Sequence, residues 1–203
     1  MGRDDLVLDL GAGTGRLTAE LARAARRVLA VELDPSLAER LRDRWANVEV
    51  VEGDAATVDL PREPFHVVAN LPFDATTAIL RHLLDDPSIP LVRADVIVEW
   101  GVAVKRALPW PSTVNDVLWG AWYSTSVSRR LPRRCFDPPP SLDAGVLLFE
   151  RRAHSLVPEA QWQDYSRFVA AGFRRPRSVA IRSPRDLDAH QWAALFVSRA
   201  ESA

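Results

Sequence analysis

A glycine-rich turn, Asp9-Leu10-Gly11-Ala12-Gly13-Thr14-Gly15, lies between two apolar runs, and it restricts the possible folds more than any other stretch of the chain. Leu6 to Leu10 leads into the turn. A helical pattern with Leu17, Leu21 and Ala25 on one face leaves it, and Val28 to Leu33 follows as a second apolar run. Strand, turn, helix and strand in that order require parallel strands joined by a right-handed crossover. Glycines let the backbone pass close under a ligand with no β-carbon in the way. Glu32, at the end of the second run, is placed to accept hydrogen bonds from both hydroxyls of a ribose. A glycine turn alone is a weak signal; an acidic residue after the next strand strengthens it.

The same alternation continues downstream. Pro35 opens a helix carrying Leu37, Leu41 and Trp45, which the region of Asn47 ends. Val48 to Val51 reads as the third strand and Phe65 to Asn70 as the fourth, with a helix from Thr76 to Leu84 after it. Asp54, after strand three, is either a helix N-cap or a ligand acceptor. Val96 to Trp100 reads as the fifth strand, running on into a helical stretch that Pro109, Trp110 and Pro111 break. Trp110 at that break is either a contact surface or buried beneath the loop. Val117 to Val127, rich in Trp, Tyr, Ser and Thr, predicts one long strand. Ala144 to Phe149 predicts a closing strand, hairpin-paired with it across the stiff loop Phe136-Asp137-Pro138-Pro139-Pro140. The sheet domain is expected over residues 1–152, and a small basic helical domain over 153–203, with helices from Pro158 to Phe173 and His190 to Arg199. Too small for a substantial core of its own, that second part is expected to dock on the sheet.

Strand four ends in Asn70-Leu71-Pro72-Phe73. Read as plain structure this is a strand end with a proline turn. Read as chemistry it groups a side-chain amide, a carbonyl kept free because Pro72 holds Leu71 extended, and an aromatic ring. Two acceptors and a ring suit a planar base with an exocyclic amine, and the strand's C-terminal end is where open α/β sheets bind ligands.

Charge is unevenly spread along the chain. The net value is −1, yet residues 1–100 carry −7 and residues 101–203 carry +6. The basic half can present a polyanion-binding face through Arg129, Arg130, Arg133, Arg134, Arg174, Arg175 and Arg177. Apolar residues make up 47% of the chain, ordinary for a globular protein. No apolar run approaches the ~18 residues of a membrane span, and no signal peptide opens the chain, so a cytoplasmic protein is expected. The one cysteine, Cys135, excludes an internal disulfide and is expected to be a partly buried structural thiol. His66, His82, His154 and His190 lack ligand spacing, so no metal is expected.

Taken together, Asp9 to Gly15, Val31-Glu32-Leu33-Asp34, Asn70 to Phe73, Val98-Glu99-Trp100-Gly101-Val102-Ala103 and Phe136 to Pro140 resemble, in order and spacing from about Leu6 to Arg152, the ribosomal RNA adenine N6-methyltransferases. Among these the resemblance is to the Erm-type macrolide-resistance enzymes of the large subunit. It implies the class I methyltransferase fold, Rossmann-like, with a mostly parallel seven-stranded sheet whose last strand is antiparallel. It also implies S-adenosyl-L-methionine as cofactor, bound by Asp9, Gly11, Gly13, Gly15, Glu32, Leu33, Asp54, Ala55 and Asn70. Asp9 would face the amino acid end, Asp54 the adenine amine, and the Ala55 N–H a ring nitrogen. Asn70, Leu71, Pro72 and Phe73 would receive the target adenine of 23S ribosomal RNA, in a monomeric enzyme. Members of that family carry a further segment before the first strand that closes over the cofactor and touches RNA; only five residues precede Leu6, so a truncated chain of impaired activity is one expectation. Alternatives are a small-subunit (16S) dimethyltransferase, a DNA adenine methyltransferase, and a non-catalytic nucleic-acid-binding relative of the fold.

Overall fold

The computed structural model describes residues 2–179 and 182–200. Met1 and 201–203, the ends of the two expected spans, lie outside the described residues. Seven strands form one sheet in the order β3-β2-β1-β4-β5-β7-β6. They are β1 (Leu6–Leu10), β2 (Arg27–Glu32), β3 (Val48–Glu52), β4 (Phe65–Asn70), β5 (Leu91–Glu99), β6 (Tyr123–Leu131) and β7 (Ala144–Arg151). The helices are α1 (Arg16–Ala24), α2 (Pro35–Leu41), α3 (Thr76–Leu84), α4 (Trp100–Arg106), α5 (Val114–Trp122), α6 (Trp162–Arg174) and α7 (Ala189–Ala200).

All five residues of β1 are buried, as expected of a strand with neighbours on both sides and cover on both faces. It pairs in parallel with β2 and β4, and β4 pairs in parallel with β5. Only β7 runs against the rest, pairing antiparallel with both β5 and β6. This is the class I methyltransferase arrangement implied by the sequence. After β1 the chain winds toward β3, and after β4 toward β6, so the strand order reverses between β1 and β4. Open α/β sheets bind ligands at such a reversal, outside the strands' C-terminal ends.

Local signals explain most boundaries. Asp34 caps α2, its Oδ1 accepting from the N–H groups of Ser36 (2.8 Å) and Leu37 (3.2 Å), with Pro35 in the first turn. The helix stops at Leu41, short of the expected Trp45, and Asp43 follows at φ 59°. Asn47 serves α1 rather than α2: its amide donates to the carbonyls of Ala22 (2.8 Å) and Ala25 (3.1 Å).

Two expectations are corrected. Val117 to Val127 is not one strand: Val114–Trp122 is helical and β6 begins only at Tyr123. A capping box decides this, because Thr113 Oγ1 accepts from the Asp116 N–H while Asp116 Oδ2 accepts from the Thr113 N–H (2.9 Å). Burial of Val117, Trp119, Ala121 and Trp122 on several sides of the helix then outweighs the strand propensity of the aromatic residues. Cys135, expected to be partly buried, is exposed in the short 3₁₀ turn Arg133–Cys135. Strand β5 also begins five residues before the expected Val96, and Trp100 opens α4 instead of closing the strand.

The C-terminal helices do not stand apart from the sheet's core. Tyr165, Val169 and Trp192 belong to the same buried cluster as Leu8, Val67 and Leu147. Edge-to-face contacts join Tyr165 to Trp122 (5.9 Å between centroids) and to Phe196 (5.3 Å). Gly172 lets α6 and α7 approach: a β-carbon there would lie 2.4 Å from Trp192 Cη2 and 2.8 Å from its Cζ3. Since Trp192 is fully buried, it has nowhere to yield. Gly172→Ala is therefore expected to destabilise the protein by roughly 1–3 kcal/mol through overpacking, despite alanine's better helix propensity. Urea unfolding of the two proteins checks this, and an equal or higher midpoint for the variant would show that Trp192 can repack.

Candidate active site

The site is assembled at the C-terminal edge from four loops. The turn after β1 is tied to β2, since the N–H groups of Gly11 (2.9 Å) and Ala12 (3.0 Å) both donate to the Val31 carbonyl. Gly11, Gly13 and Gly15 all have positive φ, the left-handed backbone that side chains disfavour. Their surroundings differ. A β-carbon on Gly13 would meet only the Gly11 carbonyl at 3.9 Å, so that face is open to a ligand. One on Gly15 would strike Leu41 Cδ2 at 2.4 Å, so this glycine serves the packing of α1 against α2 rather than a ligand.

Glu32 joins three of the loops. Its Oε2 accepts from the Gly13 N–H (2.6 Å), its Oε1 from the Asp34 N–H (2.9 Å), and its backbone carbonyl from the Gly53 N–H (2.9 Å). A carboxylate has about four acceptor positions, so two remain for hydroxyls of a ligand. Leu33 beside it is 67% exposed, an apolar side chain left bare at the site. Asp54 is exposed and its Oδ1 accepts from the Ala56 N–H (2.8 Å), a local turn rather than a helix cap. Ala55 is buried, and among the described residues no hydrogen bond engages its N–H.

Asp9 is the buried charge of the site, 1% exposed, with Thr18 Oγ1 donating to its Oδ2 (2.6 Å). Burial, helped by the nearby Glu32 charge and opposed by the Thr18 hydrogen bond, raises its pKa to about 6. An acid held so far from water, with no cation beside it among the described residues, fits a ligand that brings a positive charge. Open glycines, an incompletely used carboxylate at Glu32, a bare apolar side chain, a free N–H and the Asp9 carboxyl together fit a cationic adenosine derivative such as S-adenosylmethionine.

Across the β1–β4 reversal lies a second cleft of about 260 Å³, lined by Asn70, Leu71, Pro72 and Phe73 on one side and Phe136, Pro138 and Pro140 on the other. Gly11 brings the two clefts together, its β-carbon position lying 3.6 Å from Pro72 Cδ and 3.9 Å from the Asn70 carbonyl. The Leu71 N–H donates to Ile97 (3.0 Å), but among the described residues nothing donates to the Leu71 carbonyl or engages the Asn70 amide. Phe73 is exposed. Phe136, Pro138 and Pro140 were not among the sequence-derived site residues. Their loop stands out in the sequence as stiff and as one of the stretches that carry the resemblance, with no role assigned to it, and its position opposite Asn70 follows from the antiparallel β7, which starts at the same sheet edge.

The seven arginines fall in two places. Arg129, Arg130, Arg133 and Arg134 stand at the end of β6 and in the turn beyond it, exposed at the same edge as the cleft. Arg130 is committed, donating from Nε (3.0 Å) and Nη2 (2.7 Å) to Asp143 Oδ2. Arg174, Arg175 and Arg177 lie at the end of α6 and in the 3₁₀ turn after it, also exposed. Trp110 is 59% exposed on the α4–α5 loop. Among the described residues no group of His, Cys, Asp and Glu is arranged to hold a metal, and no helix is long and apolar enough to cross a membrane.

Comparison with known proteins places this geometry. The family model for ribosomal RNA adenine dimethylase matches residues 2–185. A mycinamicin-resistance protein, MyrB, from Micromonospora griseorubida is 36% identical over 94% of this chain and 68% of its own length. An rRNA adenine N-6-methyltransferase from Corynebacterium diphtheriae is 34% identical over 82% of this chain and 66% of its own, and one from Bacillus licheniformis is 32% identical over 89% and 61%. The chain thus spans about two thirds, or less, of these curated relatives. Among solved structures, that of the 23S rRNA methyltransferase ErmE superposes with a TM-score of 0.81 at 28% identity, covering 97% of this chain and 91% of that one. A dimethyladenosine transferase from Plasmodium falciparum, 20% identical, shares the fold with a TM-score of 0.74, covering 86% of this chain and 65% of that one. With the family model matched along nearly its whole length and relatives above 30% identity, the chain belongs to the ribosomal RNA adenine dimethylase family.

Proposed function

We propose that this chain methylates N6 of an adenine in 23S ribosomal RNA, using S-adenosylmethionine, and so confers resistance to macrolide-type antibiotics. The observation that carries the reading is the pair of unengaged acceptors, the Asn70 amide oxygen and the Leu71 carbonyl, in a cleft beside the glycine turn. The likeness to a mycinamicin-resistance protein and to a 23S rRNA methyltransferase points the same way.

When bound, the cofactor supplies an electrophilic methyl group on a sulfonium. Asp9, Gly11, Gly13, Glu32, Leu33, Asp54 and Ala55 would hold it, with Gly15 acting through α1 and α2. The chain's own work is positioning. A target adenine leaves its stack and enters between Phe73 and the Phe136–Pro140 loop, stacking on an aromatic face. Asn70 and Leu71 each accept one N–H of the amine, turning its lone pair out of conjugation with the ring. As nitrogen gains positive charge the same two oxygens stabilise it, and they need no reorganisation to do so. No base is needed beforehand, because the methylated amine is acidic enough to release its proton to water. Arg129, Arg133, Arg134, Arg174, Arg175 and Arg177 would contact RNA phosphates, making binding strongly salt-dependent. In this scheme residues 1–152 carry cofactor and target base, and 153–203 add RNA contacts.

The reading is tested by transfer of labelled methyl to protein-free 23S rRNA, with 16S rRNA and DNA in parallel, and digestion to nucleosides. Label in N6-methylated adenine from 23S rRNA alone is the expected result. Label in 16S rRNA alone would move the protein to the small-subunit branch, and cofactor binding with no transfer to any acceptor would make it a binding relative. Asn70→Ala is expected to lower kcat by at least about 10²-fold, by analogy with loss of one preorganised stabilising group. Affinity for S-adenosylhomocysteine should stay within a few-fold, and loss of both together would refute the positioning role.

Asp9 yields a prediction with opposite signs for stability and binding. Its folded pKa of about 6 lies above the ordinary 3.8, so its contribution to stability is complete below about pH 4 and is lost as pH rises through about 6. At pH 8 the buried carboxylate then costs the ligand-free protein on the order of 3 kcal/mol. Asp9→Asn, which keeps an acceptor for Thr18, is expected to raise the stability of the free protein at pH 8 and to leave it nearly unchanged at pH 4. The same variant should bind S-adenosylhomocysteine at least tenfold more weakly, and wild-type affinity should fall as pH drops through about 6. Calorimetric melting and titration at the two pH values check both halves.

A further inference from the structure

A third cleft, of about 320 Å³, opens on the catalytic edge on the other side of the β6–β7 loop, lined by Glu99, Trp100, Arg130, Arg133, Leu142 and Asp143. It adjoins the adenine cleft closely. Pro140 lines one and Ser141 the other, and Asn70 pairs with Ile97, two residues before Glu99 on the neighbouring strand. Of its lining residues the methyl-transfer scheme uses only Arg133, for a phosphate.

Its groups are arranged more firmly than surface side chains need to be. Asp143 fixes the wall: its Oδ2 takes both N–H donors from Arg130, its Oδ1 accepts from the Arg133 N–H (2.9 Å), and its carbonyl accepts from the Trp100 N–H (2.8 Å). These hydrogen bonds hold the Asp143 carboxyl below the usual carboxylate range. The Arg130 guanidinium, fixed along its Nε–Nη2 edge, lies over the Trp100 ring with its carbon 5.3 Å from the centroid. Trp100 is itself seated against β7, where a β-carbon on Gly145 would come within 2.8 Å of its ring. The result is a flat, half-exposed cationic platform beside an apolar side chain, Leu142, that is 51% exposed. Glu99 faces the same cleft, and among the described residues its carboxylate has neither a hydrogen bond nor an ion pair.

We propose that this cleft is a second base subsite, taking a guanine that neighbours the target adenine in the RNA strand, with Arg130 as stacking platform and Glu99 as reader. Splayed single-stranded bases stack on aromatic rings and on arginine planes and are read on their Watson–Crick edges. Guanine alone offers two adjacent N–H donors on that edge, N1–H and N2–H, matching the two oxygens of a carboxylate. Adenine and cytosine offer one donor next to a ring-nitrogen acceptor, and uracil one donor between two carbonyls, so each would face Glu99 with a repulsive acceptor. Arg130, with Nε and Nη2 on Asp143, is thereby assigned to a base rather than to a phosphate.

The subsite extends the proposed methyl-transfer reading, and its test separates the two. RNA hairpins with one loop adenine, and with each neighbour of that adenine set to A, C, G or U in turn, are measured for equilibrium binding by anisotropy and for methyl transfer, at one fixed salt concentration. The wild-type protein is expected to prefer guanine on one side by about tenfold. Glu99→Gln should abolish that preference, because the donor and acceptor of an amide can pair with the Watson–Crick edge of any of the four bases, while affinity for S-adenosylhomocysteine stays unchanged. Arg130→Leu should weaken all hairpins by about tenfold without altering the order of preference. A guanine preference in binding that Glu99→Gln abolishes would support the subsite even if no methyl were transferred. A neighbour preference absent from the wild type, or unchanged in Glu99→Gln, would overturn it even while methyl transfer proceeds.

Discussion

Glu32 sits where three loops must agree. Its carboxylate holds the glycine turn after β1 and the start of α2, and its carbonyl holds the loop after β3. These are short hydrogen bonds to backbone donors, two of them to a charged acceptor, which makes them about twice as strong as neutral ones. None of the three loops has secondary structure of its own at these points, so their mutual placement rests on this residue and on the parallel register of β1, β2 and β3. On the other side of the strand-order reversal, Gly11 allows the glycine turn to meet Pro72 and Asn70 without an intervening side chain. The two clefts that the proposed reading gives to cofactor and base are thus joined through a glycine.

Much of this was legible in the residues because the pattern was local. A buried strand, a glycine turn and an amphipathic helix have distinct periods, and β1, α1 and β2 stand where those periods place them. Asn70 at the end of β4 could be placed for the same reason. Three features could not be read so directly. Helix α5 depends on the reciprocal Thr113–Asp116 cap, a signal present in the sequence but overshadowed by the aromatic residues after it. The Phe136–Pro140 loop faces Asn70 only because β7 inserts between β5 and β6, a pairing between residues distant in the chain. Gly15 looked like its two companions, yet its neighbours are Leu41 and Trp45, which no spacing within the turn reveals.

The basic residues divide by what surrounds them rather than by their number. Arginines in a sequence look alike as candidates for phosphate. In the fold, Asp143 takes Arg130 out of that set and makes it a fixed plate over Trp100, while Arg129, Arg133 and Arg134 remain in solvent beside it. Arg106 is likewise taken inward, paired with Asp116 at 2.5 Å and lying over Trp119. Charge counts therefore overstate how many guanidinium groups are left uncommitted for a polyanion.

At the far end of the sheet from the site, Arg151 binds five oxygens at once: the carbonyls of Pro87 (3.0 Å), Ile89 (2.5 Å) and Leu91 (2.9 Å), the Tyr123 hydroxyl (2.9 Å) and Glu159 Oε1 (3.2 Å). Three of its five partners are main-chain atoms, and these do not change when side chains do. The segment between α3 and β5 is therefore held by its backbone at one side, while Pro87 and Ile89 pack inward on the other, which leaves Ser88 as its exposed position. A lysine, with a single ammonium, could not span the same set of partners. Divergence among relatives should thus be tolerated at Ser88 rather than at position 151, so that one arginine at the edge of the sheet sets the path of a whole loop.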